Sequence, residues 1–424
     1  MASPLTFDLQ EIIENDLIST HYQPLVSLKR GAVFGVEALS RGIDPETGEM
    51  IPPDKLFEVT VDDEQRLELD RACRRLAIQR FKPLYLKNRS MLLSINVDAS
   101  VINHTCLGSQ NLLRQVKDSG ISPNNVIIEI IESNAGDLDA LIAFVIHYRK
   151  NGFVIALDDV GAGFSNLDRI PLLTPDILKL DRSLCSRVDR HFHKLEVVKA
   201  IVKMAQRIGA IVLAEGVERS EEVLTLLEIG VDVFQGFHFG RPAPLDVTEN
   251  EASKETSSSE EGGPLDRANQ RIQQAAAAYK LHSMERFAAG KRKFSRYDQL
   301  IRDLCDRIAL PGGPKLDRRL TECLEISENI GCLYIMDTNG IQVSSTICNP
   351  SKLRKQKRFF YEPARMGADH SLKEYYLPIR AGLTKFTTEA YISLASGNRC
   401  LTISQVFYDS SGEPRVLCVD IGEE

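Results

Sequence analysis

The chain has 424 residues, 43% of them hydrophobic, which is enough for two or three domains with buried cores. Its formal net charge of −7 argues against a general nucleic-acid binder, so we expect no DNA partner. Nine cysteines, none of them in a Cys-x-x-Cys pair, indicate reduced thiols and exclude a zinc ribbon or a disulfide framework.

The N-terminal stretch is acidic and amphipathic, which is not the pattern of a secretion signal. No apolar run is long enough to cross a bilayer, so we expect a cytoplasmic protein with no membrane span.

Residues 1–246 alternate short apolar runs with amphipathic helical segments, which is typical of a parallel α/β fold. A helix over 194–208, for example, repeats apolar residues at helical spacing and meets its stop at Gly209. Eight strand-like runs indicate a closed (β/α)8 TIM-like barrel. These runs are HYQPLVSL, AVFGVEALS, MLLSINV, NVIIEI, FVIALD, DILKL, AIVLAE and VDVFQGF.

The remaining chain predicts a linker, a helical connector and a smaller domain. Residues 247–263 are acidic and serine-rich and indicate a flexible linker. The connector, 264–312, contains a helix from Pro264 towards Gly290 and a second helical stretch near 297–308. Residues 313–424 hold strand-like runs with hairpin turns at 338–340 and 409–412, which predicts an α+β module. The runs are CLYIMDT, IQVSS, AYISLA, CLTISQVFYD and RVLCVDI.

Two adjacent acids, Asp158 and Asp159, end the run VIALDD and precede Gly-x-Gly. Alone, the pair fits a helix N-cap with a first-turn acid. It also fits the acidic pocket of a phospho-accepting receiver domain. The pair therefore decides nothing by itself.

Polar residues close seven successive strand-like runs of the predicted barrel. Because the carboxyl ends of barrel strands converge, we expect these side chains to meet in one mouth. Buried charges are costly unless they are paired, and oxygen ligands suit Mg²⁺ or Mn²⁺ better than zinc. The residues are Glu37, Asn96, Glu129, Asp158 with Asp159, Lys179, Glu215 and Gln235.

A series of motifs carries a resemblance to a known family. In chain order they are YQPLVSL, VEALSR, INVDAS, EIIES, ALDDVGAGFSNL, DILKLDRSL, LAEGVE and FQGFHFGRP. From about Phe7 to Pro244 the chain resembles the EAL-domain phosphodiesterases of bacterial cyclic di-GMP signalling, named for a Glu-Ala-Leu motif, here residues 37–39. The resemblance implies hydrolysis of cyclic di-GMP to linear pGpG with two divalent cations, Mg²⁺ or Mn²⁺, per site.

The same resemblance implies the role of each site residue. The cation ligands would be Glu37, Asn96, Glu129, Asp158 and Asp159. Lys179 and Glu215 would organise the attacking water and the phosphoryl oxygens, and Glu132 would pin the loop after the aspartate pair. Arg41 would reach a substrate phosphate. The pocket would be lined by Gln23, Asp181, Glu218 and Gln235. In the loop, Val160, Ala162, Phe164 and Asn166 depart from the usual Phe, Thr or Ala, Tyr and Ser.

The C-terminal region is similar to PAS-like and Cache-type (PDC) sensor folds through a Tyr-Tyr pair, a Gly-Asn turn, an ITIS-like strand and a DSSGE hairpin. This implies an unknown small ligand or protein partner at the module, which would regulate the barrel. An apolar face on the helix after Pro264 predicts contact with the barrel or a second chain, hence a homodimer. Two alternatives stay open: a cyclic di-GMP receptor without appreciable turnover that signals through the C-terminal module, and a protein scaffold.

Overall fold

The computed structural model describes residues 7–102, 110–131, 137–162, 166–245, 263–311, 315–352, 363–393 and 395–422, without side chains at 101, 131, 166 and 286–296. The chain divides into two compact units, Met1–Met284 and Glu285–Glu424. Among the described helices, none combines the length and the apolar character that a bilayer crossing requires.

The first unit is a closed barrel flanked by helices. Its strands are β1 Ile18–Ser27, β2 Ala32–Ile43, β3 Met50–Ile51, β4 Leu92–Asp98, β5 Val126–Ile131, β6 Val154–Val160, β7 Ile177–Leu180, β8 Ile211–Ala214 and β9 Val233–Phe234. The strand order is β1-β9-β8-β7-β6-β5-β4-β2, and pairing of β1 with β2 closes the barrel. Each of the eight predicted runs contributes one barrel strand.

The predicted TIM-like barrel is confirmed, with one departure from the parallel pattern: β1 runs antiparallel to both β2 and β9. The cause is the short connection between β1 and β2, which turns through Gly31 at φ +68°. A connection of this length makes a hairpin, whereas a parallel pair needs a crossover of a dozen or more residues. The other neighbouring barrel strands, from β2 through β4 to β9, pair in parallel.

The helices of the first unit cover the outside of the barrel. They are α1 Leu9–Glu14, α2 Pro53–Glu58, α3 Asp63–Lys87, α4 Asn111–Ser119, α5 Leu138–Lys150, α6 Ile170–Leu173, α7 Arg182–Cys185, α8 Phe192–Ile208 and α9 Ser220–Glu228. In α8 the predicted apolar face is confirmed, since Val198, Val202 and Ala205 are buried. The helix ends at Gly209, whose φ of +81° is the left-handed conformation of a C-terminal cap.

A long helix, α10 Pro264–Ala309, belongs to both units. Its first part buries Ala268, Ile272 and Ala275 in the core of the barrel unit, and its last part buries Ile301 and Leu304 in the core of the second unit. The predicted break near Gly290 is wrong, because one glycine costs a helix only about 1 kcal/mol and helical spacing continues beyond it. The predicted linker lies outside the described residues except for its final position.

The second unit is an antiparallel sheet with helices, as expected for an α+β module. Its strands are β10 Ile330–Met336, β11 Ile347–Cys348, β12 Lys385–Thr387, β13 Tyr391–Ile392, β14 Arg399–Tyr408 and β15 Pro414–Gly422, and its shorter helices are α11 Leu316–Leu324 and α12 Leu377–Arg380. The order is β11-β10-β15-β14-β12, with β13 on β14. The predicted turn at 409–412 joins β14 to β15, with Gly412 at φ +83°. The PAS or Cache assignment stays a prediction.

The run IQVSS, predicted as a strand, forms only isolated bridges at Ile341 and Gln342. The side chains here take over hydrogen bonds that a ladder would make. Gln342 Nε2 donates to the Ser344 carbonyl at 2.8 Å, and Ser344 Oγ accepts from the backbone N–H of Ile335 at 2.9 Å. Buried polar side chains therefore replace a regular strand at this position.

Cys332 and Cys348 form a disulfide, so the expectation of nine reduced thiols is wrong for this pair. The two residues lie directly opposite each other on the antiparallel strands β10 and β11. Their separation of 16 residues matches no motif, and only the strand register brings them together.

Candidate active site

The eight polar residues predicted to meet at the barrel mouth, which come from seven strand ends, lie together in the structure. Residues from different strands meet here because β4 to β9 run parallel and end on the same side of the barrel. Asn96 on β4 lies opposite Glu129 on β5, and Glu37 on β2 lies opposite Gln23 on β1. These residues line or adjoin a cavity of about 330 Å³.

Lys179 occupies the centre of the cluster and is only 2% exposed. Its Nζ lies 2.6 Å from Glu129 Oε2, 2.6 Å from Glu215 Oε1 and 3.1 Å from Asp158 Oδ1. Glu37 Oε1 follows at 3.9 Å. Burial alone lowers the pKa of Lys179, but these carboxylates together raise it well above its usual value. One fixed positive charge therefore faces four carboxylates.

The carboxylates around Lys179 differ in their electrostatics. Burial, with the neighbouring Glu37, raises the pKa of Glu129 well above its usual value, although Ser94 Oγ donates to it at 2.5 Å. Burial raises the pKa of Glu215 to about 8. The charge of Lys179 opposes this rise, and the charge of Asp158 adds to it. Without cations, these raised pKa values favour protonated carboxyl groups, because Lys179 alone cannot neutralise all the surrounding negative charge.

Amide side chains orient Glu37. Burial acts to raise the pKa of Glu37, but Lys179 and the amide donors Gln235 and Asn96 hold it below the usual value. Asn96 Nδ2 donates to Glu37 Oε1 at 2.9 Å, and Gln235 Nε2 donates both to Glu37 and, at 3.0 Å, to Gln23 Oε1. Because Asn96 donates through its nitrogen, its Oδ1 is left to accept or to ligate a cation.

The aspartate pair lies in an irregularity of β6. Its pairing with β7 shifts register between Leu157 and Val160, and Asp159 has a φ of +55°. In a regular strand successive side chains point to opposite faces, but this bulge brings oxygens of Asp158, Asp159 and Glu215 within 4.8 Å of one another. Burial and the charge of Asp158 raise the pKa of Asp159.

The donor set fits a hard divalent cation. The three clustered carboxylates and the Asn96 amide offer only oxygen atoms, which Mg²⁺, Mn²⁺ and Ca²⁺ prefer. When ionised, the carboxylates around the single ammonium of Lys179 would leave an excess of negative charge, which bound cations would compensate.

The other predicted substrate residues lie around this centre. Arg41 donates to the Ser40 carbonyl at 2.8 Å and lines a neighbouring cavity of about 310 Å³ that also contacts Asn96. Glu218 lines the central cavity and pairs with Arg182 at 2.7 Å. Asp181 caps α7 through the backbone N–H of Ser183 at 2.8 Å and does not line that cavity.

Part of the predicted site cannot be placed. Glu132, the predicted loop anchor, lies outside the described residues, as does Phe164. Val160, the departure nearest the aspartates, is buried in the barrel core at 2% exposure.

Sequence reasoning missed three residues of the site. Ser94 lies two positions before Asn96 on β4, so the period of two along a strand was the signal that could have found it. Arg182, the first residue of α7, and Phe237, in the turn after β9, also line the cavity. Phe237 is 46% exposed, with the Arg241 guanidinium 4.1 Å from its ring centroid. No local pattern distinguishes these two from ordinary surface residues.

Relatives extend over different parts of the chain. The EAL-domain containing protein YkuI of Bacillus subtilis is 26% identical over 414 residues, covering 94% of this chain and 93% of YkuI. The cyclic di-GMP phosphodiesterase RocR of Pseudomonas aeruginosa is 29% identical over 248 residues, or 57% of this chain. The alignments cover 31% of the phosphodiesterase NbdA of P. aeruginosa, 30% of the oxygen sensor DosP of Escherichia coli and 61% of RocR, so the chain spans less than two thirds of these proteins.

Solved structures show the same folds. The crystal structure of YkuI in complex with c-di-GMP and calcium superimposes with a TM-score of 0.78 at 23% identity, over 99% of this chain and all of the other. The PaMucR phosphodiesterase in complex with c-di-GMP gives a TM-score of 0.51 at 28% identity over 56% of this chain and 96% of the other. The EAL domain model matches residues 7–242, more than half of the sequence, and the chain therefore belongs to the EAL domain family.

Proposed function

We propose that this chain hydrolyses cyclic di-GMP to linear pGpG in a reaction that depends on divalent cations. The observation that carries the proposal is the buried Lys179 among the carboxylates of Glu129, Glu215 and Asp158, at the mouth of an EAL barrel. The phosphodiesterase names of RocR and NbdA support the substrate and the reaction.

We infer that the site holds two cations, Mg²⁺ or Mn²⁺. Bound there, the cations would supply a water molecule of lowered pKa and neutralise phosphate charge. The ligands would be Glu37, Asn96, Glu129, Asp158 and Asp159.

The protein groups position the reactants. Lys179 fixes the carboxylates and presents positive charge towards the phosphoryl oxygens. Cations beside Glu215 would favour its ionised form, and the carboxylate then accepts a hydrogen bond from the attacking water and orients it. The water oxygen bonds to phosphorus in line as the bond to the 3′ oxygen breaks, and a proton passes to that oxygen. The product is a linear dinucleotide with a 5′ phosphate.

The surrounding polar residues bind the rest of the substrate. Arg41 contacts a phosphate through its guanidinium, in line with the position of its cavity beside Asn96. Gln23, Gln235 and Glu218 line the central cavity and offer hydrogen bonds to the dinucleotide. Asp181 directly follows β7 and would bind substrate from there.

The test is chromatography of the nucleotides after incubating full-length protein with cyclic di-GMP. We expect pGpG with Mn²⁺ or Mg²⁺ and none in excess EDTA. Asp158→Asn should abolish product, whereas Asp139→Asn on the exposed surface of α5 should leave it unchanged. Undiminished turnover in EDTA would contradict the proposal. Binding of cyclic di-GMP without product under all conditions would favour the receptor function.

We also propose that the C-terminal unit regulates the barrel. Support comes from YkuI, which aligns with this chain over both units. Such regulation requires an effector with different affinity for two states of the protein, typically by about 5- to 150-fold.

A further inference from the structure

The C-terminal unit contains a cavity of about 460 Å³ that the hydrolytic reaction does not use. Its volume is in the range of small-molecule sites. Tyrosines from three parts of the unit line it, Tyr334 on β10, Tyr375 before α12 and Tyr391 on β13. The buried carboxylate of Asp420, on β15, completes this wall.

Asp420 is 3% exposed and is held by neutral donors. Thr402 Oγ1 donates to Oδ1 at 2.7 Å, and Ser393 Oγ donates to Oδ2 at 2.8 Å. Burial raises the pKa of this carboxyl against these hydrogen bonds. Within the described part of the chain, no lysine, arginine or histidine forms an ion pair with it. A buried carboxylate without a cation is costly, and each oxygen can still accept a further hydrogen bond.

The donors of a second polar network at this cavity wall, formed by Gln342, His370 and Tyr375, hydrogen-bond to one another and to neighbouring protein atoms. Gln342 Nε2 donates to the Ser344 carbonyl at 2.8 Å and to Thr346 Oγ1 at 2.9 Å, which turns Gln342 Oε1 towards His370 Nε2, 2.8 Å away. His370 therefore carries its proton on Nε2, and Nδ1 accepts from the Tyr375 hydroxyl at 2.6 Å. Burial and the charge of Lys373 lower the pKa of His370, which keeps the ring neutral.

The charges that line the cavity are mainly negative. Among the described lining residues, the carboxylates of Asp369, Glu374 and Asp420 face the single ammonium of Lys373, since His370 is neutral. Aromatic ring faces also attract cations. The cavity thus offers acceptors and ring faces, whereas the donors of the histidine network are already used.

We propose that this cavity binds a small organic ammonium ion, specifically a primary amine, whose N–H groups donate to Asp420 while its carbon skeleton packs on Tyr334 and Tyr391. A neutral ligand would leave the buried carboxylate without a counter-charge, and an anion would be repelled by it. The inference concerns the C-terminal unit and stands independently of cyclic di-GMP hydrolysis.

Calorimetry with the full chain and matched probes tests the charge requirement. The amines are ethanolamine, putrescine and 2-phenylethylamine, and their neutral counterparts are ethylene glycol, 1,4-butanediol and 2-phenylethanol. We expect saturable binding of at least one amine, about tenfold or more tighter than its alcohol, as a charge-assisted hydrogen bond provides. Failure of all three amines to bind at millimolar concentration, or equal binding of the alcohols, would overturn the proposal.

Variants locate the binding in this cavity. Asp420→Asn removes the charge and should weaken amine binding by about tenfold or more. Because Asp420→Asn also alters two buried hydrogen bonds, Ala368→Leu gives an independent test by filling the cavity from another lining residue. Glu328→Gln, at an exposed position outside the cavity, makes the same charge change as a control and should bind as the wild type does. If amine binding is unchanged in Ala368→Leu, the site is elsewhere and the assignment is wrong.

Discussion

Lys179 is the residue on which the charge balance of the barrel mouth depends. Its ammonium lies within 3.1 Å of Glu129, Glu215 and Asp158, and all four groups are inside the protein or at the cavity wall. Removing one partner of a buried ion pair leaves uncompensated charge, which typically costs about 3–5 kcal/mol. The same residue therefore serves both stability and the proposed chemistry.

We expect Lys179→Met to abolish cyclic di-GMP turnover and to lower the free energy of unfolding of the cation-free protein by about 3–5 kcal/mol. Urea denaturation measures the stability, and nucleotide chromatography measures the turnover. Lys199→Met is a matched control, because Lys199 forms a surface pair with Glu196 that contributes about 0.5 kcal/mol or less. Equal losses of stability in the two variants would show that the buried network does not have this role.

Asp70 gives a pH dependence of stability. Burial raises its pKa from 3.8 to about 6, with Asp98 adding to the shift, even though Arg74 lies 2.5 Å away and acts against it. Desolvation outweighs the ion pair here because the side chain is almost fully buried. Since the folded state binds the proton more tightly, stability is fully present below about pH 4 and is lost as the pH rises through 6.

The prediction compares wild type with Asp70→Asn, which cannot titrate. The free energy of unfolding of the wild type, relative to that of the variant, should fall by roughly 1–3 kcal/mol between pH 4.5 and 7.5. Urea denaturation across this range measures it. A difference between the two proteins that does not change with pH would mean that Asp70 has an ordinary pKa.

At the scale of elements, the bulge in β6 brings both carboxylates of the aspartate pair to the same group of oxygen ligands. Asp159 at φ +55° is in the left-handed region, which aspartate and asparagine tolerate better than β-branched residues do. The conformation turns both carboxylates towards Glu215, where a regular strand would direct one of them away.

We expect Asp159→Asn to keep the fold, without loss of cation-free stability, because it removes repulsion from Asp158 and retains a tolerated backbone conformation. Its Mn²⁺ affinity should fall by about tenfold or more, since a charged ligand is lost. Asp159→Val should in addition lose about 1–3 kcal/mol of stability from backbone strain. Calorimetric Mn²⁺ titration and urea denaturation give the two quantities, and unaltered Mn²⁺ affinity in Asp159→Asn would exclude it as a ligand.

At the scale of the whole molecule, the predicted apolar face of α10 is buried in its first part and exposed further along the helix. Ile272 and Ala275 are buried in the barrel unit, whereas Leu281 is 62% and Met284 is 70% exposed. Two large exposed apolar residues one turn apart are suited to a second copy of the chain.

The predicted homodimer can be tested by sedimentation of the full chain. We expect twice the chain mass for the wild type and the mass of one chain for Leu281→Lys, because a buried lysine without a partner prevents association. Val61→Lys changes an 82% exposed residue of the barrel unit in the same way and should stay dimeric. A wild type that sediments as a single chain, or a dimer unaffected by Leu281→Lys, would refute this prediction.

The sequence by itself determined the features that depend on neighbouring residues. The eight barrel strands, helix α8 with its stop at Gly209, and the hairpin turn at 409–412 follow from periodicity and local turn chemistry. The polar residues at the strand ends were also readable, because ending a parallel strand with Glu129 or Lys179 places that side chain at the common mouth.

Only the tertiary structure decided the features that depend on non-local register. These are the antiparallel β1 that closes the barrel, the β6 bulge that aligns Asp158 with Asp159, and the pairing of Cys332 with Cys348. The cavity around Asp420 belongs with them, since its walls come from segments more than eighty residues apart. Short-range patterns specify which residues form an element and which face is apolar. They do not specify which distant strand pairs with it or in what register, because packing of the whole chain selects that pairing.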